Sequence, residues 1–410
     1  MSLAPPLPAE SYRPELLGYC YRYFGCYSEA EDAVQETMIR AWQHAEQFKG
    51  RSSLRTWLYR VATNVCLDMK KAPQRRALPV DLQAPGVVPE DPATLATRPR
   101  EAWVGPLADA WLDDGGDPGH ATVDRESVRL AFVAALQLLP PRQRVVLILR
   151  DVLSFSAVEC ADLLDMSVAA VTSALARARR TVADHDPARE ATASSGSARD
   201  DTAERELLQR YVSAFEAYDV SALVRLLAED ALFSMPPYEL WLRGTVDIAA
   251  WWNGPGQVCR HSRTLTTRAN GGPAMAVYHR VSPGRWEPFA LQVVAMREGR
   301  ITELTHFMGP EVFAEFGLPD VLVDSTRELP ASTDQFAPSA SSTRVTPPEE
   351  DRRKTDERQT GHDPHDHRPP LLFPQRRRRV AEPLPVRLLR RRGGPEDGGD
   401  ARRRHQHPDR

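Results

Sequence analysis

The sequence predicts a multidomain protein in which two all-α domains are followed by an α+β domain and a disordered tail. Apolar residues recur at helical spacing within residues 11–76 and again within residues 125–184. Residues 203–323 combine two amphipathic helices with short runs that are typical of antiparallel strands. The periodicity is lost over residues 324–410, where Pro, Ser, Asp and Arg dominate.

Composition limits the classes of protein that the chain can belong to. The 410 residues have room for two or three domains. The formal net charge is −3, so any nucleic-acid-binding surface must be local. The five cysteines have no CxxC or paired-ligand spacing, from which we expect a cytoplasmic protein without a zinc site or disulfides. No apolar run approaches the length of a membrane span, and we expect no membrane contact, metal or cofactor.

The predicted helix over residues 54–71 has two contrasting faces. Its apolar stripe consists of Leu54, Trp57, Leu58, Val61, Ala62, Val65, Cys66 and Met69. The opposite face carries cations, an aromatic ring and amide or hydroxyl groups: Arg55, Thr56, Tyr59, Arg60, Thr63, Asn64, Lys70 and Lys71. This combination suits single-stranded nucleic acid, because cations pair with phosphates while rings and amides contact bases.

The preceding helix, from Ser28 onward, has the opposite character. Its residues predicted to pack inward are Ala30, Val34, Met38, Ala41, Trp42 and Ala45. Its polar, mainly acidic face consists of Glu31, Asp32, Gln35, Glu36 and Gln43. An acidic helix repels phosphates, so we expect this face to lie in solvent or against a basic protein surface.

Residues 125–184 contain a predicted helix-turn-helix. We expect helices over Arg142–Asp151, Ser156–Leu164 and Val168–Val182, with Ser167 as the N-cap of the last one. The buried stripe of that helix is predicted to be Val168, Val171, Leu175, Ala178 and Val182. Its small side chains let the helix start enter a major groove, and its arginines can reach phosphates or guanine edges. An ordinary helical hairpin is the alternative.

Residues 77–124 and 185–202 are predicted linkers, because Pro, Gly and acidic or small polar residues interrupt all periodicity there. Trp103 and Trp111 are unusual for a linker, and docking on a neighbouring domain is one explanation for them.

The third domain is predicted to begin with helices over Glu204–Tyr218 and Ser221–Leu227. The expected strands are Ala231–Met235, Arg263–Arg268, Ala274–Arg280, Pro288–Arg297 and Arg300–Phe307. Glu298 and Gly299 are expected to form the turn of the last hairpin.

Three parts of the chain carry a family resemblance. EAEDAVQETMIRAW with FKGRSSLRTWLYRVATN resembles region 2 of the sigma-70 family of transcription initiation factors, closest to the extracytoplasmic-function (ECF) group. LPPRQRVVLILRDVLSFS before the helix-turn-helix resembles region 4 of that family. MPPYELWLRG, TRANGGPAMAVYHR and FALQVVAMREGRITELTHF resemble the SnoaL-like family of cone-shaped α+β barrels, which includes ketosteroid-isomerase-type enzymes.

The resemblance implies a sigma factor that binds the clamp helices of core RNA polymerase, recognises two promoter elements and initiates transcription, modulated by its own SnoaL-like domain. The implied polymerase contacts are Asp32, Gln35 and Glu36. The implied contacts with the minus-ten element are Lys49, Arg51, Ser52, Arg55, Tyr59, Arg60 and Asn64. The expected contacts with the minus-thirty-five element are Ser167, Ala169, Ala170, Thr172, Ser173, Arg177 and Arg180.

The third domain leaves other functions open. A SnoaL-like cone can hold a small molecule, and its enzymes use an Asp or His there as general base. The possible bases are Asp230, Glu239, His261, His279 and His306. The expected core and pocket wall are Met235, Tyr238, Trp241, Trp251, Trp252, Phe289 and Met308. We expect a regulator and no enzyme, with a ligand-responsive repressor or activator and a tethered hydrolase or isomerase as the alternatives.

The Arg-rich tail over residues 324–410 has clusters that could contact nucleic acid nonspecifically, and a solvated tail without a role is equally compatible with its composition.

Overall fold

Helices come first along the chain and strands last. The computed structural model describes residues 8–50, 52–69, 76–112, 127–185 and 201–324. Arg51, Lys70, Lys71, most of the second linker and the tail from residue 325 lie outside these ranges. The described residues all belong to the compact unit Met1–Phe373.

The first domain contains three helices, α1 (Arg13–Phe24), α2 (Tyr27–Gln43) and α3 (Leu54–Met69). Gly25 ends α1 at a φ of 78°, a left-handed conformation that glycine adopts without a steric penalty. The core between the helices is aromatic, since the Tyr19 ring meets Tyr59 of α3 edge-on at 5.3 Å. Tyr19 and Tyr59 are both fully buried.

The second domain contains α4 (Leu130–Gln137), α5 (Pro141–Leu147), a π-helical turn (Ile148–Val152), α6 (Ala157–Leu164) and α7 (Val168–His185). Ser156 caps α6 because its Oγ accepts the Glu159 amide at 3.1 Å, while its own amide donates to the Glu159 carboxylate at 2.7 Å. The left-handed residue Asp165 makes the turn, and the Ser167 Oγ accepts the Ala170 amide at 3.1 Å. The chain therefore forms the predicted helix-turn-helix.

The third domain has helices α8 (Asp201–Ala217), α9 (Val220–Leu226), α10 (Thr245–Asn253) and α11 (Glu311–Glu315). Its strands are β1 (Leu227–Ser234), β2 (Trp241–Arg243), β3 (Arg263–Ala269), β4 (Gly272–Ser282), β5 (Arg285–Arg297), β6 (Arg300–Met308) and β7 (Leu322–Val323). They form one sheet in the order β2-β1-β6-β5-β4-β3, with β7 beside β5. β1 and β6 are parallel, and the other pairs are antiparallel.

The two faces of the sheet pack on different parts of the protein. Side chains alternate along β4, so that Met275 and Val277 join the core under α8 and α10. Ala276 and Tyr278 point the other way and join the core that also contains the helices of both all-α domains. The third domain is therefore packed against the other two.

The two all-α domains also share buried polar contacts. The Arg144 guanidinium of α5 is 2% exposed and donates to the Tyr23 carbonyl oxygen of α1 at 2.5 Å. Arg22 of α1 donates through Nε to the Ser127 hydroxyl at 3.0 Å. We call this packing of the second domain on the first the closed arrangement.

The first predicted linker is ordered where the structure describes it. We call residues 76–112 the strap. Trp103 is 3% exposed, and Trp111 stacks on Tyr27 of α2 with ring centroids 5.5 Å apart. The indole of Trp111 also donates to the Glu315 carbonyl oxygen at 2.9 Å. The strap thus docks on the first and third domains.

Candidate polymerase and nucleic-acid interfaces

The outer face of α2 is open to solvent and acidic. Asp32 and Gln35 are exposed, and Glu36 is half-buried beside Arg40, with 2.7 Å between the guanidinium Nε and the carboxylate oxygen. The three predicted polymerase contacts lie within about one turn of this helix, so they share one side of it.

Two apolar residues extend this face toward the end of α2. Trp42 is 78% exposed and Ile39 is 50% exposed. The prediction that Trp42 packs inward is wrong: Ala41, in the same turn, is 1% exposed and faces the core, and Trp42 lies one position further around the helix on the solvent side. Exposed Trp and Ile next to carboxylates are a combination found at protein interfaces.

An open depression lies between α2 and the start of α3. We call it the loop depression, and its volume is about 650 Å³. Its lining residues are Glu46, Gln47, Phe48, Lys49, Ser52, Trp57 and Arg60. It therefore brings together Lys49, Ser52 and Arg60 of the predicted minus-ten residues.

The loop depression has aromatic walls and exposed cations. The rings of Phe48 and Trp57 lie 5.5 Å apart at an angle of 46°. Lys49 and Arg60 are exposed. Rings that can stack on a base, with cations in reach of its phosphates, are the chemistry of single-strand binding. The helical stripe assigned Trp57 to the core and gave no signal for Phe48.

Other residues of the predicted strand-facing surface are covered. Tyr59 is 1% exposed, and Thr63 is fully buried with its hydroxyl 2.8 Å from the Tyr19 hydroxyl. Their expected outward placement is wrong, because α1 covers Thr63 and the second domain covers Tyr59. Asn64 is exposed but does not line the loop depression.

Arg55 and Arg60 make contacts within the protein. Arg55 is half-buried and its Nε donates to the Glu15 carboxylate at 2.6 Å. Arg60 donates to the backbone carbonyl oxygen of Asp162, in α6, at 2.7 Å. The closed arrangement therefore uses Arg60, and a carboxylate of the first domain holds Arg55, although the sequence assigns both cations to DNA.

The second helix of the helix-turn-helix, α7, is accessible. The predicted contacts that are exposed are Ser167, Ala169, Thr172, Ser173, Arg177 and Arg180, and Ala170 is half-buried. Val168 is 43% exposed and not in the buried stripe as predicted, because it is the first residue of the helix. Arg179 points elsewhere and binds Asp151 through two contacts of 2.9 and 2.7 Å.

Asn270 joins the three domains and the strap. It is 3% exposed, with a φ of 54° in the turn between β3 and β4. Its Nδ2 donates to the Tyr21 hydroxyl at 2.6 Å and to the Val128 carbonyl oxygen at 2.7 Å. Its Oδ1 accepts the Leu107 amide at 3.0 Å. The sequence gives no signal for this residue beyond a turn-forming Asn-Gly pair.

Two ion pairs hold the strap on the third domain. The Arg98 Nε lies 2.6 Å from the Glu239 carboxylate, and the Arg100 Nη2 lies 2.7 Å from the Glu315 carboxylate. Glu239, predicted as a possible general base, is thus a partner of the strap. Trp241, predicted as pocket wall, donates from its indole to the Gln83 carbonyl oxygen at 2.9 Å.

The third domain encloses a narrow apolar cavity. Its lining residues are Phe215, Phe233, Met235, Trp251, Trp252, Gly256, Val258, Cys259, Phe289, Gln292, His306 and Met308. Only about 20 Å³ is open to the centre of a water molecule, and one water needs about 10–15 Å³. Of the predicted wall residues, Tyr238 and Trp241 do not line it.

His306 is the one predicted general base that lines this cavity. Its Nδ1 lies 3.2 Å from the Ser234 carbonyl oxygen, and burial lowers its pKa to about 4. His279 stacks on Phe289 at 3.3 Å, and burial lowers its pKa to about 4 as well. Asp230 and His261 are exposed on the surface. The cavity wall therefore includes one neutral imidazole, and its lining residues include no carboxylate.

The described ranges contain no helix long and apolar enough to cross a bilayer. They also contain no group of three or more His, Cys, Asp or Glu residues arranged to hold a metal ion.

Family models match the three domains in order. Sigma-70 region 2 matches residues 9–76, Sigma-70 region 4 matches residues 129–182, and the SnoaL-like domain matches residues 208–304.

Two sigma factors align with most of this chain. The ECF RNA polymerase sigma factor SigG of Mycobacterium tuberculosis is 44% identical over 319 residues, which cover 76% of this chain and 83% of SigG. SigJ of the same species is 25% identical over 328 residues, covering 74% of this chain and 91% of SigJ. The crystal structure of SigJ aligns with a TM-score of 0.49 at 24% identity, covering 76% of this chain and 98% of that one.

Proposed function

The chain belongs to the ECF RNA polymerase sigma factors, and we propose that its third domain and strap keep this promoter-recognising factor in the closed arrangement until it engages polymerase and DNA. The observation that supports the proposal is that the three predicted binding surfaces differ in their exposure to solvent. The outer face of α2 and the exposed side of α7 are free, whereas α3 is partly covered by the second domain.

The free face of α2 is the proposed contact with the clamp helices of core RNA polymerase. Asp32, Gln35 and Glu36 supply polar and acidic groups for a basic partner. Ile39 and Trp42 supply the apolar area that would hold α2 against the clamp helices.

Promoter DNA is assigned to two other surfaces. Lys49, Ser52 and Arg60 in the loop depression, with Arg51 and Asn64 nearby in sequence, are proposed to bind the minus-ten strand. The proposed contacts with the minus-thirty-five element are the exposed residues of α7 named above. Arg177 and Arg180 are the candidates for guanine or phosphate contacts.

The third domain is proposed to regulate and not to catalyse. Its cavity admits one or two water molecules, which is too little for a substrate in this arrangement. Its aromatic walls and the cross-strand pair Gln292 and His306 fit a small neutral ligand that would bind after the cavity widens. Such a ligand would act through the β1–β2 loop, where the Glu239 amide donates to the Ala96 carbonyl oxygen of the strap at 2.9 Å.

Binding to purified core RNA polymerase tests the assignment of α2. We expect the double variant Asp32→Lys/Glu36→Lys to bind at least tenfold more weakly than the unchanged chain. The matched control is Glu229→Lys/Asp230→Lys, which reverses two exposed carboxylates on the third domain. Equal affinity of the two variants would contradict the assignment.

A further inference from the structure

Phe155 of the second domain is inserted into the surface of the first. It lies between the π-helical turn and α6 and is 3% exposed. Its ring meets the Tyr59 ring at 5.3 Å with an interplanar angle of 72°. The Arg55 guanidinium lies 5.1 Å from the centre of each of these two rings. One phenyl ring is thus held by an aromatic ring and a cation of the other domain.

Proteins use the same two groups to hold an unstacked base. A base ring packs on an aromatic side chain, and an arginine adds a cation–π contact. Arg55 and Tyr59 both belong to the helix whose family resemblance places it against the opened promoter strand.

The Tyr59 hydroxyl gives an independent indication. It is buried next to the Glu15 carboxylate and the Arg55 guanidinium, and neither group is well aligned for a hydrogen bond with it. A buried hydroxyl whose polar neighbours are poorly aligned is weakly stabilised, and a ligand with a better-placed donor or acceptor can satisfy it. The edge of a base carries donors and acceptors that could satisfy this one.

We propose that Phe155 occupies the place of an unpaired promoter base, so that single-stranded DNA and the second domain compete for Arg55 and Tyr59. The inference rests on the proposed function, in which α3 faces the opened strand. The site is separate from the loop depression, whose lining includes neither residue.

Arg60 couples the two sites. Its guanidinium lines the loop depression and also donates to the Asp162 carbonyl oxygen of α6 at 2.7 Å. When α6 and Phe155 leave, Arg60 becomes available for a phosphate, and the Tyr59 ring and the face of the Arg55 guanidinium become available for a base while Arg55 stays paired with Glu15.

The first test measures binding of the full chain, without polymerase, to a fluorescein-labelled pool of random 12-nucleotide DNA single strands by anisotropy. We expect Phe155→Ala to bind at least tenfold more tightly than the unchanged chain, because the competing ring is gone. Adding Tyr59→Ala should reverse the gain, since it removes a stacking surface. Phe215→Ala, which removes a buried ring from the core under α8 and α10 and away from the all-α domains, is the control for general destabilisation and should give no gain. Affinity unchanged in Phe155→Ala overturns the proposal.

The second test uses the unchanged chain and does not depend on how a variant folds. Saturation with the same DNA pool should raise amide hydrogen exchange across residues 155–164, because the DNA displaces this segment. Bound DNA with full protection of residues 155–164 overturns the proposal. Neither assay contains polymerase, so a negative result here leaves the transcription assay to decide the proposed function on its own.

Discussion

Nδ2 of Asn270 donates a hydrogen bond of 2.6 Å to the hydroxyl of Tyr21, and this bond joins the third domain to the first helix. The same hydroxyl donates to the Gly105 carbonyl oxygen of the strap at 2.8 Å. Burial raises the pKa of Tyr21, so the phenol stays neutral and can accept one hydrogen bond while it donates another. One side-chain amide and one phenol therefore connect parts of the chain that are far apart in sequence.

Removing the Asn270 side chain should loosen the closed arrangement. Asn270→Gly keeps the left-handed backbone but leaves the Leu107 amide and the Val128 carbonyl without their partner, at about 1–3 kcal/mol for each buried group. We expect faster hydrogen exchange in α3 and more transcript at limiting polymerase. The control is Asn253→Gly, which removes an exposed amide bonded within its own helix. Unchanged exchange in α3 would argue against a restraint at this junction.

Trp42 should contribute to polymerase binding without contributing to folding. Because its side chain is 78% exposed, Trp42→Ala should change the free energy of unfolding by less than about 0.5 kcal/mol. Loss of an interface tryptophan commonly costs about 2 kcal/mol or more of binding free energy. Titration calorimetry with core polymerase checks this, with Val246→Ala, an 80% exposed apolar residue of α10, as control. If the two variants bind alike, the contact does not extend to the end of α2.

Arg177 and Arg179 should contribute differently to promoter binding, although they are only two positions apart. Arg177 is exposed, whereas Arg179 is held by Asp151. Arg177→Ala should weaken promoter binding by about 1–3 kcal/mol if it contacts a base edge, and Arg179→Ala should have a smaller effect. Anisotropy on promoter and random duplexes separates the cases. An equal loss on both duplexes would identify Arg177 as a phosphate contact.

The buried histidines should make the third domain sensitive to acid. The pKa of His306 is lowered to about 4, so between about pH 6.5 and 4 the unfolded chain binds the proton that the folded chain excludes. Stability should fall as the pH drops through this window, by about 3 kcal/mol for this residue. His279 should act in the same direction. The measurement is the free energy of unfolding in urea at pH 7 and at pH 5, with hydrogen exchange of the β6 amides as the probe of unfolding. The loss of stability between the two pH values should be smaller for His306→Gln than for the unchanged chain. An identical loss in both proteins would exclude His306 as a cause.

Local signals predicted most of the elements. Ser156 and Ser167 cap helices where a hydroxyl precedes an apolar run, and Glu298 and Gly299 take positive φ values in the last hairpin turn. The family assignment was confirmed by the matches to both sigma regions and to the SnoaL-like domain. These signals act over a few residues, so a single sequence carries them in full.

Contacts between distant residues were not predictable in the same way. Periodicity gives the faces of α3 but not the neighbour on each face, which is why Tyr59 was placed in solvent although Phe155 covers it. The strap has no periodicity to predict it from, and its residues Arg98, Arg100 and Trp111 bind partners more than a hundred residues away. Glu239 could not be assigned from the sequence either, because only its distant partner Arg98 shows that it forms an ion pair and is not a base in the pocket.

The central claim is tested most directly by transcription from genomic DNA fragments with purified core RNA polymerase and the full chain. We expect discrete promoter-specific transcripts that require the chain and that disappear with Asp32→Lys/Glu36→Lys but not with Glu229→Lys/Asp230→Lys. Core polymerase that gives the same transcripts with and without the chain would contradict the account.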